Sequence, residues 1–246
     1  MKNEAGKVYF VIKSLSLKGG GAERVFVDIL NNFKKDNKKI NIITFDKNIK
    51  NTFYKLLVKF NFQSFFLNDV TKPTSLLFFF KKVFIIRKFL LKNKNDFFVC
   101  FMSSTFLLFA LASFGIKTKI IASENIIFKY YKKNWLQLLL FFLLFFKLKK
   151  IIVVSDQAKK TFPKLFQKKM IVIHNTILNI NNSNYQKNNK SNKIILNIGR
   201  MEDQKDQMSL IKIFNNVKKV IKDVHLYIIG DGSLKLNILQ LISHYN

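Results

Sequence analysis

The chain has 246 residues, a mass of 28.9 kDa and 49% hydrophobic side chains, with 43 basic against 14 acidic residues. That much apolar surface can offset the ordering entropy of a packed core, which excludes intrinsic disorder. Cys100 is the single cysteine, so a disulfide-stapled secreted module is excluded as well. Residues 1–7 are polar and the apolar stretch after them is too short for a signal peptide, so we expect a cytoplasmic protein.

The net charge of +29 raises the possibility of a nucleic-acid partner, but the basic residues are of the wrong kind. Arg24, Arg87 and Arg200 are the only arginines, and base recognition favours the bidentate fork of arginine over lysine. We therefore expect no specific nucleic-acid partner. The charge is uneven, since residues 194–246 carry +2 and residues 1–193 carry +27, so an anionic membrane surface remains open as a partner of the first part.

Short apolar runs alternate with longer amphipathic ones along residues 1–178. The runs predict strands at 8–15, 40–45, 97–102, 119–123 and 151–155, and helices at 22–35, 76–91, 135–147 and 156–166. Such alternation predicts a parallel sheet covered by helices on both faces. The first domain of this α/β chain is thus expected to end near residue 178.

A stretch with almost no apolar content, residues 179–192, separates this pattern from a second one. Its composition is that of a linker. The pattern then restarts with a strand at 193–198, a helix at 206–221, a strand at 224–229 and a helix from about residue 233. We predict a second, incomplete α/β domain at 193–246.

Two of the predicted helices are unusually apolar. Residues 135–146 form a run of 12 apolar or amide side chains between lysines, whereas a membrane span needs about 20 apolar residues. A buried helix is the favoured interpretation, with insertion into a membrane interface as the alternative. The helix at 76–91 carries four basic residues at helical spacing and admits the same two interpretations.

A glycine-rich loop follows the first predicted strand. Gly19, Gly20 and Gly21 let the backbone approach a ligand closely and present amide groups at a helix N-terminus, where a phosphate or a sugar hydroxyl can bind. The spacing matches neither the dinucleotide-binding nor the P-loop motif. The alternative is a tight strand-to-helix turn in which Glu23 favours the start of the helix electrostatically.

A second candidate site follows the strand at 193–198. Arg200 and Lys205 could converge on one anion and neutralise a diphosphate leaving group. On spacing alone, a surface loop whose own carboxylates pair with both cations explains the segment better. Gly230, Asp231 and Gly232 follow the next strand, at the edge where open α/β sheets bind ligands, although a plain turn explains them equally well.

Glu124 and Asn125 follow the strand at 119–123, where a carboxylate is more often a helix-start residue than a catalyst. The three histidines and the cysteine show no metal-ligand spacing, so no metal site is expected.

Taken together and in order, these segments resemble a known family. The opening VYFVIKSLSLKGGGAERVFVDILNNF, then IIASEN, KIIVVSDQAKKTF and MIVIHNTI, are similar to the first domain of glycosyltransferase family 4, bacterial nucleotide-sugar enzymes of the GT-B fold. ILNIGRMEDQKDQMSLIKIFNNV and VHLYIIGDGSLKLNILQLI resemble the start of the second domain. The similarity extends over nearly the whole chain and is weakest at 47–95.

The resemblance implies two Rossmann-like domains, a donor UDP- or GDP-sugar on the second and an acceptor on the first. By analogy Arg200 and Lys205 would bind the donor diphosphate in place of a metal, and Gly19, Gly20 and Gly21 would line the cleft. The family transfers sugars with retention and without a divalent metal or other cofactor. It implies a hexosyltransferase that uses a lipid-linked or cell-surface glycan acceptor, peripheral to the inner face of the membrane.

Two departures from the family pattern stand out. Asn125 lies where many relatives have a histidine, and the Glu-x7-Glu region that contacts the donor falls beyond Asn246. A truncated, inactive transferase or a catalytically dead paralogue is therefore also considered. A different class remains as well, namely a non-catalytic basic α/β protein that binds membrane or nucleic acid through its lysines.

Overall fold

The computed structural model describes residues 6–16, 20–33, 40–47, 52–57, 60–66, 75–175 and 193–245. The chain divides into two compact units, residues 1–178 and 179–246. The segment interpreted as a linker, 179–192, lies outside the described residues, as does Gly19.

The first unit contains a seven-stranded parallel sheet with the strand order β3-β2-β1-β4-β5-β6-β7. Its strands are β1 (Val8–Val11), β2 (Ile40–Thr44), β3 (Asn61–Ser64), β4 (Phe97–Phe101), β5 (Lys119–Glu124), β6 (Leu148–Val153) and β7 (Met170–Val172). Its helices are α1 (Gly21–Asn31), α2 (Leu76–Lys92), α3 (Ser103–Ala112), α4 (Trp135–Leu144), α5 (Asp156–Lys160) and α6 (Lys164–Gln167). The parallel sheet with crossover helices confirms the predicted α/β class.

Apolar side chains pack on both faces of this sheet, because successive residues of a strand point to opposite sides. Tyr9 and Val11 of β1 join a core formed largely with α2, α3 and α4. Phe10 joins a second core, formed with α1. Phenylalanines contribute to both cores, with ring pairs such as Phe26 against Phe101 at 4.9 Å between centroids.

The structure differs from the predicted elements at several boundaries. β1 ends at Val11 instead of residue 15, because the residues after it turn toward Asp46. The helix predicted at 156–166 is two short helices, since Pro163 has no N–H to continue the first one. The helix predicted at 135–147 ends at Leu144 and continues as a 3-10 turn. β3, α3 and β7 were not predicted.

The second unit has two parallel strands, β8 (Lys193–Ile198) and β9 (Val224–Ile229), and two helices, α7 (Gln207–Val220) and α8 (Lys235–Tyr245). Met201, Ile211 and Ile238 form its small buried core. Most side chains of β8 and β9 remain exposed. Within the described residues the second unit therefore buries far less apolar surface than the first.

Two helices of the first unit expose large apolar side chains along one face. These apolar faces comprise Leu76, Leu77, Phe80, Phe84 and Leu91 on α2, and Trp135, Leu136, Leu139, Phe142 and Leu143 on α4. Among the described residues, no helix has both the length and the apolarity that a membrane crossing requires.

Candidate functional site

A buried carboxylate organises the segment that leads from β1 to the glycine-rich loop. Asp46, which follows β2, is 3% exposed and accepts hydrogen bonds from the Leu15 N–H at 2.8 Å and the Ser16 hydroxyl at 2.7 Å. The Ser14 hydroxyl donates to it as well. Because both oxygens are used, the carboxylate fixes the course of residues 14–16. The sequence analysis did not single out Asp46.

The glycine-rich loop ends at the start of α1. The Gly20 N–H donates to Glu23 Oε2 at 3.0 Å, so the helix begins with a glutamate reaching back to its own first turn. This position of Glu23 agrees with the interpretation of the loop as a tight strand-to-helix turn. The hydrogen bond also occupies the Gly20 N–H, which a ligand would otherwise bind. A Cβ added at Gly21 would meet nothing within 4 Å, so no neighbouring atom requires glycine there. Whether the loop binds a ligand stays a prediction.

Glu124, the last residue of β5, is a buried acid. One carboxylate oxygen accepts the backbone N–H groups of Asn125 at 2.8 Å and Ile126 at 3.1 Å, and the other accepts the Tyr131 hydroxyl. Burial raises the pKa of Glu124 from 4.5 to about 7, because desolvation outweighs these three hydrogen bonds. Asn125 Nδ2 is buried and has no hydrogen-bond partner among the described residues.

Tyr131, the partner of Glu124, is itself fully buried. A separate hydrogen bond lies near the ends of these strands, where Ser103 Oγ accepts from Gln137 Nε2 at 2.7 Å. Burial, and then the charge of Glu124, raises the pKa of the Tyr131 phenol. The Ser103–Gln137 hydrogen bond joins the first turns of α3 and α4.

The backbone is strained just before Ser103. Met102 has φ 71° and ψ 148°, a conformation that side chains other than glycine rarely adopt and that costs on the order of 1–3 kcal/mol. The strain lies where β4 ends and α3 begins, so it sets the direction in which Ser103 leaves the sheet edge. Strained residues of this kind concentrate at functional sites.

Ser103 and Gln137 line a cavity of about 410 Å³ between α2, α3 and α4. Its walls are mainly apolar, from Phe79, Leu107, Leu108, Leu111, Leu136 and Leu140. Lys13 and Lys82 also line it. Burial lowers the pKa of the Lys82 amine, and the positive charge of Lys13 lowers it further. Two repelling cations beside an apolar cavity favour an anion with an apolar tail as its ligand.

In the second unit the two predicted site segments lie against each other. Met201 N–H donates to the Asp231 carbonyl at 2.9 Å, and Leu234 N–H donates to the Met201 carbonyl at 3.0 Å. A Cβ at Gly230 would lie 1.9 Å from the Gly199 carbonyl oxygen, and one at Gly232 would lie 2.4 Å from that of Met201. Both glycines are therefore required by close backbone contact. Arg200 belongs to the loop that this contact holds.

Arg200 and Lys205 are exposed. The ion pairs found in the described part of the chain, Arg24–Asp28 and Lys235–Asp231, include neither of them. The buried amide of Gln207 donates to the Arg200 carbonyl at 3.1 Å, which ties this loop to the first residue of α7. The two cations thus lie on a loop that is anchored through its backbone, and their role in binding a ligand stays a prediction.

Within the described ranges, no group of three or more His, Cys, Asp or Glu side chains could hold a metal ion.

Similarity to known proteins gives a second kind of evidence. No family model matches the chain.

One relative is the Campylobacter jejuni GalNAc-alpha-(1->4)-GalNAc-alpha-(1->3)-diNAcBac-PP-undecaprenol alpha-1,4-N-acetyl-D-galactosaminyltransferase, 27% identical over 93% of this chain and 62% of its own. Among solved structures, the lipopolysaccharide outer core galactosyltransferase WaaB is similar with a TM-score of 0.61 and 16% identity, over 97% of this chain and 65% of that one. Anabaena HepE, solved with UDP and glucose, is similar with a TM-score of 0.65 and 15% identity, over 98% and 66%.

The first two of these proteins are named as glycosyltransferases, and the similarity to all three extends over both units of the chain. The chain spans 62 to 66% of their length. In sequence the chain is similar to a glycosyltransferase, and its fold matches the GT-B fold.

Proposed function

We propose that this chain is the acceptor-side domain and the first part of the donor-binding domain of a retaining glycosyltransferase. The enzyme transfers a hexose-type sugar from a UDP- or GDP-sugar to a lipid-linked glycan at the inner face of a membrane, without a metal or other cofactor. The similarity to the Campylobacter transferase over 93% of the chain is the observation that carries this proposal. That relative acts on an undecaprenol-linked substrate, and HepE was solved with UDP.

The donor diphosphate binds at the Arg200 loop in this proposal. Arg200 and Lys205 supply two positive charges that take part in no ion pair among the described residues, and α7 adds the positive end of its dipole. Negative charge grows on the diphosphate as the sugar leaves, so these cations stabilise the transition state more than the bound donor. Gly230 and Gly232 hold the facing turn close enough to keep that loop in place.

The acceptor binds in the cavity between α2, α3 and α4. Lys13 and Lys82 face an anionic phosphate group, and the leucine and phenylalanine walls accept the first part of a hydrocarbon chain. An anion would relieve the repulsion between the two lysines, which adds to burial in lowering the pKa of Lys82. Glu124 and Asn125 lie at the carboxyl end of β5, which pairs with β4, the strand that leads into α3 of the cavity wall.

The apolar faces of α2 and α4 lie against the bilayer in this proposal. Both helices line the acceptor cavity, so a membrane on these faces would place lipid at its mouth. The charge of +27 on residues 1–193 complements an anionic lipid surface, to which each nearby lysine contributes about 1 kcal/mol. Long lysine stems beside exposed leucine and phenylalanine side chains suit the interface between headgroups and acyl chains.

Sugar transfer tests the proposal. We would fuse residues 1–246 to the remaining carboxyl-terminal part of the Campylobacter relative and assay UDP- and GDP-sugars with undecaprenyl-diphosphate-linked acceptors. Arg200→Ala and Lys205→Ala should each lower turnover about a hundredfold, the effect of removing one electrostatic stabiliser. Lys212→Ala, which removes an exposed lysine of α7, is the matched control. A folded fusion that binds anionic vesicles and transfers no sugar would favour the non-catalytic alternative.

A further inference from the structure

Three consecutive residues of the Arg200 loop are held through their backbones. Gly199 N–H donates to the last carbonyl of β9 at 3.0 Å, and Met201 is bonded to the segment after β9 through both its N–H and its carbonyl. The Arg200 carbonyl, between them, accepts from the Glu202 N–H at 3.0 Å and from Gln207 Nε2 at 3.1 Å. The backbone of Arg200 is therefore fixed, while its side chain is exposed.

Gln207 contributes to this arrangement through its side chain. It is the first residue of α7 and is fully buried, and its amide oxygen Oε1 has no hydrogen-bond partner among the described residues. An acceptor left unpaired in the interior costs stability, whereas an apolar side chain of the same length would avoid this cost. Packing therefore does not explain an amide at this position. The contact of Nε2 with the Arg200 carbonyl explains it.

The Lys205 side chain lies against the same stretch of backbone. A Cβ added at Gly199 would lie 3.6 Å from both Cδ and Cε of Lys205, so the aliphatic stem of the lysine passes over the residue that precedes Arg200. The lysine stem and the Arg200 backbone are therefore neighbours, although the two cations are separated in the sequence. A change in the position of Arg200 thus also changes its placement relative to the second cation.

We propose that Gln207 is a positioning residue for sugar transfer that acts through Arg200. Its amide holds the Arg200 carbonyl and so fixes the point from which the guanidinium reaches the donor diphosphate. The inference rests on the proposed function, in which Arg200 stabilises the leaving diphosphate. Because that charge develops in the transition state, a displaced guanidinium slows turnover more than it weakens donor binding.

A purely structural role of Gln207 predicts a different result. If the residue served only to stabilise the second unit, its replacement would lower activity by the same factor whichever residue stands at position 200. An effect that passes through the guanidinium instead vanishes when the guanidinium is absent. A double-mutant cycle between positions 200 and 207 separates these two cases.

The test measures sugar transfer by Gln207→Met in the fusion to the carboxyl-terminal part of the Campylobacter relative. Methionine keeps the length and helix preference of glutamine but has no N–H, and the Arg200 carbonyl keeps its bond from the Glu202 N–H. Turnover should fall about tenfold, the effect of one lost hydrogen bond, while KM for the nucleotide sugar changes less than about twofold. Gln240→Met, the same change at an exposed glutamine of α8, should leave both constants as in wild type.

The cycle is completed by Arg200→Ala and by the double variant. In the Arg200→Ala background, Gln207→Met should change turnover less than about twofold, because the group on which it acts is gone. Thermal unfolding of the 246-residue chain checks the fold of each variant. Gln207→Met should be at least as stable as wild type, since it removes the unpaired buried acceptor.

Three results would overturn the role of Gln207 and leave the donor site in place. These are wild-type turnover in Gln207→Met beside a large loss in Arg200→Ala, an equal loss with and without Arg200, and a loss confined to KM. A folded wild-type fusion that transfers no sugar would overturn the proposed function and the positioning role with it. If Gln207→Met does not fold, Gln207→Leu takes its place, since leucine also lacks the amide and favours a helix.

Discussion

Replacing Glu124 with glutamine should change how the stability of the first unit depends on pH. The folded protein raises the pKa of this carboxyl from 4.5 to about 7, since burial disfavours its charged form. Between these two values the folded state holds a proton that the unfolded state has lost. The free energy of unfolding therefore falls as the pH rises from 4.5 to 7, and the loss is complete above 7.

The size of the effect follows from the shift. A difference from 4.5 to about 7 corresponds to about 3 kcal/mol at 1.36 kcal/mol per pH unit. Glutamine cannot ionise, and its amide can accept from the two backbone N–H groups and donate to Tyr131. The stability of Glu124→Gln relative to wild type should thus increase by about 3 kcal/mol between pH 4.5 and pH 8.

Urea unfolding at several pH values measures this difference. Trp135 belongs to the first unit, so its fluorescence follows that unit rather than the second. Asp156→Asn removes an exposed carboxylate at the start of α5 and serves as the control for the loss of one charge. If the difference between Glu124→Gln and wild type stays constant over this range, Glu124 is not the buried acid that the structure describes.

Three further predictions concern the second unit, the membrane and the segment between the units. Gly230→Ala should destabilise the second unit by more than about 2 kcal/mol, because its Cβ would lie 1.9 Å from a carbonyl oxygen. Gly21→Ala should be neutral or stabilising, because its Cβ would meet nothing within 4 Å. Thermal unfolding of both variants measures this difference. Replacing Phe80 and Phe84 with serine should weaken co-sedimentation with anionic vesicles at least tenfold, and equal binding to neutral vesicles would remove the electrostatic part of the argument. Limited proteolysis should cut first within 179–192, and earlier cleavage within 151–175 would contradict the predicted linker.

The central strands were predictable from the sequence because each is a short apolar run that both sheet faces bury. The elements that were missed lack this signal for physical reasons. β3 lies at an edge of the sheet and most of its side chains are exposed. Its residues Asn61–Ser64 therefore do not alternate between a buried apolar face and an exposed polar face. α3 is the opposite case, since it is apolar on nearly every side and has no helical periodicity to detect.

The candidate site was predictable in part. Glu124 and the Arg200 loop stood out because they follow strands, and in the structure they lie at strand ends. The hydrogen bond between Ser103 and Gln137 could not be found in this way, since the two residues are 34 positions apart and meet only because α3 and α4 pack together. In the sequence Asp46 likewise looks like an ordinary loop aspartate, and only the folded structure brings its carboxylate into hydrogen-bond contact with residues 14–16.

Backbone strain separates the two candidate sites from the other connections between strand and helix. Ser155 before α5 and Gly20 before α1 have ordinary extended conformations, with φ of −159° and −109°. Among the described non-glycine residues, positive φ occurs at Met102, before Ser103, and at Asp206, directly after Lys205. Within the described ranges the fold therefore joins some strands to helices without strain, and the strained non-glycine residues lie beside Ser103 and Lys205.

Asp206 allows this argument to be tested without disturbing a core. Its side chain is exposed, caps no helix amide and adopts φ 48° and ψ 41°, a left-handed conformation that disfavours side chains by about 1–2 kcal/mol. Asp206→Gly should raise the stability of the second unit by up to about 1 kcal/mol, while Asp206→Ala should not. If the loop conformation also serves the donor, the glycine variant should lose transfer activity in the fusion protein although it is more stable. A glycine variant that is no more stable than the alanine variant would mean that residue 206 relaxes in solution, and the strain would then carry no information about the site.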